Sequence, residues 1–201
     1  YAHEGLSVFS PYTISTNIIG GSVSVFSAAI SAKVKRIVHC SSMARYGGIK
    51  VPFNENDTPY PVDPYGIAKL ASEKILINLS EVHGVEYNIA IPHNIIGPNQ
   101  RYDDPFRNVA SIMINMMLQN RKPIIYGDGE QMRSFSDVRD CISCIDVLAT
   151  NSKVKNEIVN IGPGDENYIT INELFEMISN KLKFNKRPEY YPDRANEIKH
   201  S

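Results

Sequence analysis

The run Ile37-Val38-His39-Cys40-Ser41-Ser42-Met43-Ala44-Arg45-Tyr46-Gly47 decides the fold assignment. Its first residues, Ile37 to His39, form a short apolar stretch that predicts a buried strand. Two serines follow directly at the carboxyl end of that strand. Ligands of open α/β sheets bind at the carboxyl ends of the strands, so we expect Ser41 and Ser42 to lie at a ligand site.

A tyrosine and a lysine follow in the segment Pro64-Tyr65-Gly66-Ile67-Ala68-Lys69. Four residues correspond to about one helical turn, so the phenol of Tyr65 and the ammonium of Lys69 are expected side by side on a helix. A neighbouring ammonium favours the phenolate and moves the pKa of a tyrosine from about 10 towards neutrality. The pair is therefore a candidate general base, although the same spacing also occurs by chance on surface helices.

Composition limits the classes of protein to which the chain can belong. The 201 residues are 42% hydrophobic with a net charge of −1, which predicts a globular protein with a real core. No basic patch indicates nucleic acid, and polar residues interrupt every apolar run before the 18 or so residues that a membrane span needs. Without a signal peptide at its start, the chain is expected in the cytoplasm. Cys40, Cys141 and Cys144 are odd in number, and Cys141-x-x-Cys144 lacks a second ligand pair, so we expect buried thiols and no metal.

The order and spacing of these motifs resemble the extended short-chain dehydrogenase/reductases, the NAD-dependent nucleotide-sugar epimerases and dehydratases. Members of that family carry a Ser-Ser-x-x-x-Tyr-Gly strand end followed by Tyr-x-x-x-Lys. The resemblance implies an α/β fold with a Rossmann-like, doubly wound and mainly parallel sheet. The chain starts at Tyr1 and contains no Gly-x-x-Gly-x-x-Gly turn for the cofactor pyrophosphate. We therefore interpret it as a fragment without the N-terminal strands and expect it to be inactive alone.

Residue periodicity predicts alternating strands and helices, which favours a parallel sheet. The predicted helices cover residues 11–32, 64–80, 108–118, 141–150 and 171–182, and the further strands cover 85–91, 123–126 and 157–161.

The resemblance also implies how the chain is organised. Residues 1–95 are expected to form the C-terminal part of the Rossmann domain with the catalytic residues. Residues 96–201 are expected to form mainly the smaller nucleotide-sugar-binding part, with some elements returning to the Rossmann sheet. In relatives, the helices that correspond to 11–32 and 64–80 pair with their copies, so a homodimer is implied.

The family's catalytic and cofactor residues are carried over position by position. Ser42, four positions before Tyr46, matches the catalytic serine, and Ser41 is expected to touch the nicotinamide side or to hold the turn. Asn17 matches the family's Asn-x-x-Gly helix, with a purely local backbone contact as the alternative. The residues implied in binding NAD are Asn17, Ser41, Tyr65, Lys69 and Pro92.

Four further residues are implied in binding a nucleotide sugar. Asn94, in Ile91-Pro92-His93-Asn94-Ile95-Ile96-Gly97-Pro98, matches a residue that contacts the diphosphate, although Ile91 replaces the usual arginine. Asn108 matches a nucleotide-facing residue, with a helix N-cap as the alternative. Arg133, in Gly127-Asp128-Gly129-Glu130-Gln131-Met132-Arg133, and Arg194 match the family's phosphate-binding arginines, because a guanidinium binds phosphate oxygens bidentately.

The implied reaction is epimerisation at C4 through a 4-keto sugar, with Tyr65 as the base, Ser42 as its hydrogen-bonding partner and NAD as the hydride carrier. Relatives that dehydrate or decarboxylate the sugar carry an acid between the serines and Tyr-Gly. Here these positions are Met43, Ala44 and Arg45, which favours epimerisation, and we expect Arg45 at the solvated surface. A dehydratase or reductase of the same family and a non-catalytic nucleotide-binding relative stay open as alternatives.

Overall fold

The computed structural model describes residues 3–104, 108–163 and 168–193. Arg194, one of the predicted site residues, lies outside the described residues. The chain forms two compact units. The first unit contains Tyr1–His93 and Arg139–Ile161, and the second contains Asn94–Val138 and Gly162–Ser201.

Helices and strands alternate along most of the described chain. The helices are α1 (Glu4–Ser7), α2 (Pro11–Ser15), a π-helical turn (Thr16–Gly20), α3 (Gly21–Ser31), a 3₁₀ turn (Met43–Arg45), α4 (Pro64–His83), α5 (Val109–Leu118), α6 (Val138–Thr150) and α7 (Ile171–Leu182). The strands are β1 (Arg36–Cys40), β2 (Glu86–Pro92), β3 (Ile95–Ile96), β4 (Ile124–Tyr126), β5 (Met132–Ser134), β6 (Ser136–Asp137), β7 (Glu157–Ile161), β8 (Tyr168–Thr170) and β9 (Glu189–Tyr191).

A three-stranded parallel sheet forms the centre of the first unit, in the order β1-β2-β7. Cys40 at the end of β1 lies opposite Ala90, and Pro92 at the end of β2 lies opposite Ile161. The carboxyl ends of the three strands therefore lie at one edge of the sheet. Among the described strands β1 pairs only with β2, so its other edge has no hydrogen-bonded neighbour. The α/β class and the parallel sheet are as predicted.

The middle strand β2 is buried on both faces, as expected of a central parallel strand. Ile89, Ala90 and Ile91 are fully buried, and so is the polar Asn88. The amide of Asn88 donates to the carbonyls of Leu148 and Val154, and its Oδ1 accepts from the backbone N–H of Glu157. Asn88 thus satisfies its polar atoms while joining β2 to the last turns of α6 and to the segment that follows α6.

Helix α4 has clear start and stop signals. Asp63 caps its N-terminus by accepting a 2.9 Å hydrogen bond from the backbone N–H of Gly66, and Pro64 occupies the first turn. Gly84 ends the helix in the left-handed conformation with φ of 69°, which glycine adopts without steric cost. These caps fix where Tyr65 and Lys69 lie along the helix.

The second unit is built from short elements. Strands β3 and β6 pair in parallel, as do β4 and β9, whereas β5 and β8 pair antiparallel. Helices α5 and α7 contribute to its hydrophobic core, and Thr170 and Glu173 form a capping box at the start of α7. The buried core residues are Ala110, Met113, Met117, Ile125, Ile171, Leu174 and Phe175.

The predicted helix over residues 11–32 is interrupted. It consists of α2, the π-helical turn and α3, with Gly20 and Gly21 at the junction. By length and composition, Pro11–Ser31 is also apolar enough to cross a membrane. Core helices of non-membrane proteins meet the same criterion, and Ile14, Ile18 and Phe26 are buried within the first unit. The absence of a membrane span therefore stays a prediction.

Candidate active site

The candidate site starts at the carboxyl end of β1, where residues 41–46 form what we call the serine turn. Ser42 has an extended backbone, and its Oγ accepts a 3.2 Å hydrogen bond from the N–H of Ala44. This contact caps the 3₁₀ turn that follows. Ser42 is half-buried, whereas Ser41 is buried. The backbone N–H of Ser41 donates to the carbonyl of Ala90, which attaches the turn to β2.

Tyr65 and Lys69 lie in the first two turns of α4, as predicted. Tyr65 is 7% exposed and belongs to a hydrophobic cluster with Ala44 of the serine turn. The Nζ of Lys69 lies 5.8 Å from the centroid of the Tyr65 ring and donates a 2.8 Å hydrogen bond to the carbonyl of Cys40. Burial lowers the pKa of Lys69, and the nearby Cys40 and Glu73 oppose that shift. Lys69 therefore connects the tyrosine to the end of β1.

A glycine allows the serine turn to lie directly against α4. A Cβ atom at Gly66 would lie 2.5 Å from the carbonyl oxygen of Ala44, closer than van der Waals contact permits. Because that oxygen belongs to the backbone, a side chain at this position would force the turn and the helix apart. Gly66 thus brings the turn that carries Ser42 against the helix residue that follows Tyr65.

An open cavity of about 470 Å³ lies beside β1 in the first unit. Its wall includes Asn17, Gly21, Ile37, His39 and Lys69. Asn17 is exposed, and its Nδ2 donates to the carbonyl of Thr13 one turn earlier, the local contact that was the alternative for this residue. Asn17 and Lys69, two residues predicted to bind the cofactor, therefore border the same space.

A buried ion pair between Arg45 and Glu73 lies behind the serine turn and was not predicted from the sequence. Glu73, fully buried on α4, accepts a short hydrogen bond from the hydroxyl of Ser41. The Nη1 of Arg45 lies 3.4 Å from Oε2 of Glu73. The expectation of a solvated Arg45 is wrong, since this side chain is 2% exposed, compensated by Glu73 and stacked 5.1 Å from the centroid of the Tyr46 ring. Glu73 follows Lys69 at the i, i+4 spacing, and this was its only signal in the sequence.

His39 is a second buried polar group at this site. Its Nε2 lies 3.2 Å from the hydroxyl of Ser72 on α4, and its ring packs edge-on against Phe26. Burial, with a smaller contribution from the charge of Lys69, lowers the pKa of His39 to about 4. The imidazole is therefore neutral near pH 7.

The other predicted site residues lie at strand ends and helix ends. Pro92, half-buried, ends β2. In the second unit, Asn94 has a positive φ of 35°, and its carbonyl accepts from the N–H of Ser136. The side chain of Asn108 caps α5 through the N–H of Ala110, which was its alternative assignment. Arg133 is half-buried in β5, and its Nη1 donates to the carbonyl of Met132.

The three cysteines differ in exposure. Cys141 is buried, whereas Cys40 and Cys144 are exposed, and all three are free thiols. The expectation of buried thiols therefore holds for Cys141 and is wrong for Cys40 at the end of β1 and for Cys144 on the exposed face of α6. Within residues 3–104, 108–163 and 168–193, no group of three or more His, Cys, Asp or Glu side chains could hold a metal ion.

Comparison with known proteins gives the family. Residues 1–162 match the NAD dependent epimerase/dehydratase family. A Methanocaldococcus jannaschii protein named "Putative UDP-glucose 4-epimerase" is 36% identical over 197 residues, covering 96% of this chain and 62% of that protein.

Two solved structures match the whole chain. The UDP-N-acetylglucosamine 4-epimerase of Methanobrevibacter ruminantium M1, in complex with UDP-N-acetylmuramic acid, has a TM-score of 0.91 and 32% identity. The UDP-glucose 4-epimerase of Thermotoga maritima, with UDP-glucose, has a TM-score of 0.92 and 30% identity. The match covers 100% of this chain and 64% of each of those chains, so the chain spans less than two thirds of their length. The chain belongs to the NAD-dependent epimerase/dehydratase family and has the Rossmann-like α/β fold of its members.

Proposed function

We propose that the full-length protein epimerises a nucleoside-diphosphate sugar at C4 through a transient 4-keto sugar. One observation carries the proposal. Tyr65 and Lys69 lie next to each other at the start of α4, and Gly66 between them lies against the serine turn that presents Ser42. A phenol, an ammonium and a hydroxyl are thus gathered at the carboxyl ends of parallel strands, where ligands of this fold class bind.

The family depends on NAD, and the residues of this chain fit it. The amide of Asn17 and the ammonium of Lys69 border one open space beside β1, whose outer edge has no neighbour among the described strands, and both groups can hydrogen-bond to hydroxyl and amide groups. Lys69 uses one donor on the carbonyl of Cys40, and an ammonium has three. We assign Asn17, Ser41, Tyr65, Lys69 and Pro92 to the cofactor side. The hydroxyl proton of Ser41 already goes to Glu73, so towards a ligand Ser41 acts as an acceptor.

The side chains at the end of β1 supply the proton chemistry. NAD held by these residues would supply the hydride chemistry, as a reversible hydride acceptor for C4 of the sugar. Tyr65, as the phenolate, accepts the proton of the 4-hydroxyl and later gives it back to the oxygen at C4. The cationic Lys69 stabilises the phenolate, and Ser42 hydrogen-bonds the oxygen at C4 in both oxidation states.

Four residues are assigned to the nucleoside diphosphate, and the resemblance of their segments to the family supports the assignment. Asn94 and Asn108 offer amides, and Arg133 and Arg194 offer guanidinium groups that suit phosphate oxygens. A fixed diphosphate would leave the sugar free to present either face to the cofactor.

The residues between Ser42 and Tyr46 favour an epimerase over a dehydratase of the same family. Eliminating water needs a proton donor beyond the tyrosine, and this position offers only Met43, Ala44 and Arg45. The guanidinium of Arg45 is buried and paired with Glu73. None of the three can supply such a proton.

The proposal includes a cytoplasmic homodimer. Helices α2, α3 and α4 expose large apolar side chains that a second copy could cover, and the free state of all three cysteines agrees with a reducing compartment. These side chains are Tyr12, Val25, Ile67 and Val82.

The test incubates the full-length protein with UDP-glucose, UDP-N-acetylglucosamine or UDP-glucuronic acid and identifies the products by NMR. We expect net inversion at C4 for at least one of them and no net consumption of NAD. A 4-keto-6-deoxy product would identify a dehydratase, and stoichiometric use of NADH would identify a reductase.

The matched variant is Tyr65→Phe, which removes only the hydroxyl. We expect it to abolish turnover while leaving the affinity for UDP, measured by calorimetry, unchanged. Epimerase activity equal to that of the wild type would refute the role of Tyr65, and UDP binding without any turnover of the wild type would indicate a non-catalytic relative.

A further inference from the structure

Glu73 contacts both ends of the serine turn. Its Oε1 accepts the hydroxyl hydrogen of Ser41, the first residue of the turn, and its Oε2 faces Nη1 of Arg45 near the end of the turn. The backbone N–H of Arg45 donates to the carbonyl of Ser42, which closes the turn. Ser42 is therefore held between two residues that both contact the same carboxylate.

The same carboxylate belongs to the helix that carries the proposed base. Glu73 lies one turn after Lys69 and two turns after Tyr65 on α4, so one side chain links Ser42 to that helix. Burial raises the pKa of Glu73, and the hydrogen bond from Ser41 and the charge of Arg45 act against that shift. The pair is almost completely shielded from solvent, since Arg45 and Glu73 are 2% and 0% exposed.

A contribution to the stability of the fold does not explain why the charges of Arg45 and Glu73 are buried. Transferring two charges out of water costs several kcal/mol each, and apolar residues of similar volume often serve as well or better. The pair also leaves polar atoms unused, because Nε and Nη1 of Arg45 and Oε2 of Glu73 find no hydrogen-bond partner among the described residues. An ion pair that is costly to bury and leaves hydrogen-bonding groups without partners, and that lies directly behind the serine turn, indicates a role in the geometry of the site.

We propose that Glu73, with its charge balanced by Arg45, is a positioning residue that sets the place of the Ser42 hydroxyl relative to Tyr65. The hydrogen bond from Ser41 to Glu73 fixes the start of the turn against α4. The positive charge of Arg45 compensates the negative charge of the Glu73 carboxylate, so that the carboxylate can remain buried. The kinetic part of this inference rests on the proposed epimerase function.

Two double variants of the full-length protein test whether residue 73 must accept a hydrogen bond. Arg45→Met/Glu73→Gln keeps an acceptor for Ser41, whereas Arg45→Met/Glu73→Leu removes it. Both remove the buried charges and alter the surroundings of Lys69 in the same way. We expect kcat of the Leu variant to be about tenfold lower than that of the Gln variant, with KM equal within about threefold, because one positioning hydrogen bond is lost. Equal kcat values would overturn the proposal.

The same pair of variants in a Ser42→Ala background separates positioning from general structural damage. If Glu73 acts through Ser42, the kcat difference between the Gln and Leu variants vanishes when the Ser42 hydroxyl is absent. A difference of the same size in that background would contradict the proposal. Should the Leu variant fail to fold, Arg45→Met/Glu73→Met replaces it, since methionine has about the length of glutamine but offers no strong acceptor to Ser41.

Crystal structures of both variants test the positioning without any activity. We expect the Ser42 hydroxyl to be displaced in the Leu variant and to keep its place in the Gln variant. An unmoved Ser42 in the Leu variant would overturn the positioning role even in an active enzyme. A wild-type protein without C4 inversion would instead overturn the proposed function, and the two crystal structures would still decide the role of Glu73.

Discussion

At the scale of single residues, His39 gives the clearest dependence on pH. Its pKa of about 4 in the folded protein lies below the value of about 6.5 for an unperturbed histidine. Between pH 6.5 and pH 4 the histidine is mostly protonated in the unfolded chain and mostly neutral in the folded protein. The free energy of unfolding therefore falls as pH decreases through this range. Above pH 6.5 this contribution to stability is fully present.

We predict that His39→Phe removes this part of the pH dependence. The ring keeps its packing against Phe26, and Ser72 keeps its hydroxyl bonds to backbone carbonyls of α4. Between pH 7.5 and pH 5 the wild type should lose about 2 kcal/mol more of its free energy of unfolding than the variant does. Urea denaturation at the two pH values measures the difference, and equal losses would contradict the assigned burial of His39.

Among the site residues, those whose contacts are local could be predicted from sequence. Tyr65 and Lys69 are neighbours because one helical turn separates them, and the sequence contains that spacing. Arg45 and Glu73 meet only because the serine turn packs against α4. Nothing in the spacing of two residues this far apart reveals such a contact, so Arg45 was wrongly expected at the surface.

At the scale of elements, the packing of the serine turn on α4 depends on Gly66. In Gly66→Ala, the new Cβ would clash with the backbone carbonyl of Ala44. Relieving the clash requires the backbone of α4 or that of the serine turn to shift. We predict a loss of about 1 to 3 kcal/mol in the free energy of unfolding, the usual cost of overpacking, and a reduced kcat. Urea denaturation and C4-inversion kinetics of the full-length protein measure the two effects.

The matched control for this change is Gly20→Ala. Gly20 also lies in a helical segment, but no atom lies within 4 Å of a Cβ built there. Alanine should therefore stabilise the protein slightly, by up to about 1 kcal/mol, because its helix propensity exceeds that of glycine. If both substitutions destabilised the protein equally, the close approach at Gly66 would not be the cause.

The long elements were predictable because their signals are local. The predicted helix over 64–80 starts where α4 starts and ends three residues before its last residue, His83, which Gly84 follows as the C-cap. The apolar run of β2 identifies a buried strand. The strands β3, β5, β6, β8 and β9 were missed, because two or three residues are too few to show a period. Their pairing depends on residues that are distant in the sequence.

At the scale of the whole molecule, we predict that the full-length protein is a dimer through the exposed faces of α2, α3 and α4. Charged substitutions within this surface, Tyr12→Asp with Ile67→Asp, should convert it to a monomer, since burying two carboxylates is costly. Leu118→Asp, an equally exposed apolar position in the second unit, is the control and should stay dimeric. Light scattering coupled to gel filtration gives the mass, and a monomeric wild type would refute the assembly.

The family could be inferred from sequence because its motifs are short and ordered: a serine pair, Tyr46-Gly47 and the Tyr65-Lys69 pair. Which sugar is used depends on the volume and lining of a pocket, and no single motif encodes that property. The residues proposed to bind the substrate, Asn94, Asn108 and Arg133, belong to the second unit, whose strands have only two or three residues. Short strands give weaker signals in the sequence than the longer elements around β1 and α4.

The most direct test of the central claim follows the hydrogen at C4. The full-length protein is incubated in ordinary water with a UDP-sugar substrate deuterated at C4, and the product is analysed by NMR and mass spectrometry. Hydride transfer to a bound carrier and back predicts an inverted product that retains the deuterium at C4, and no product with Tyr65→Phe. Loss of the label to solvent, or the absence of inversion at C4, would contradict the account.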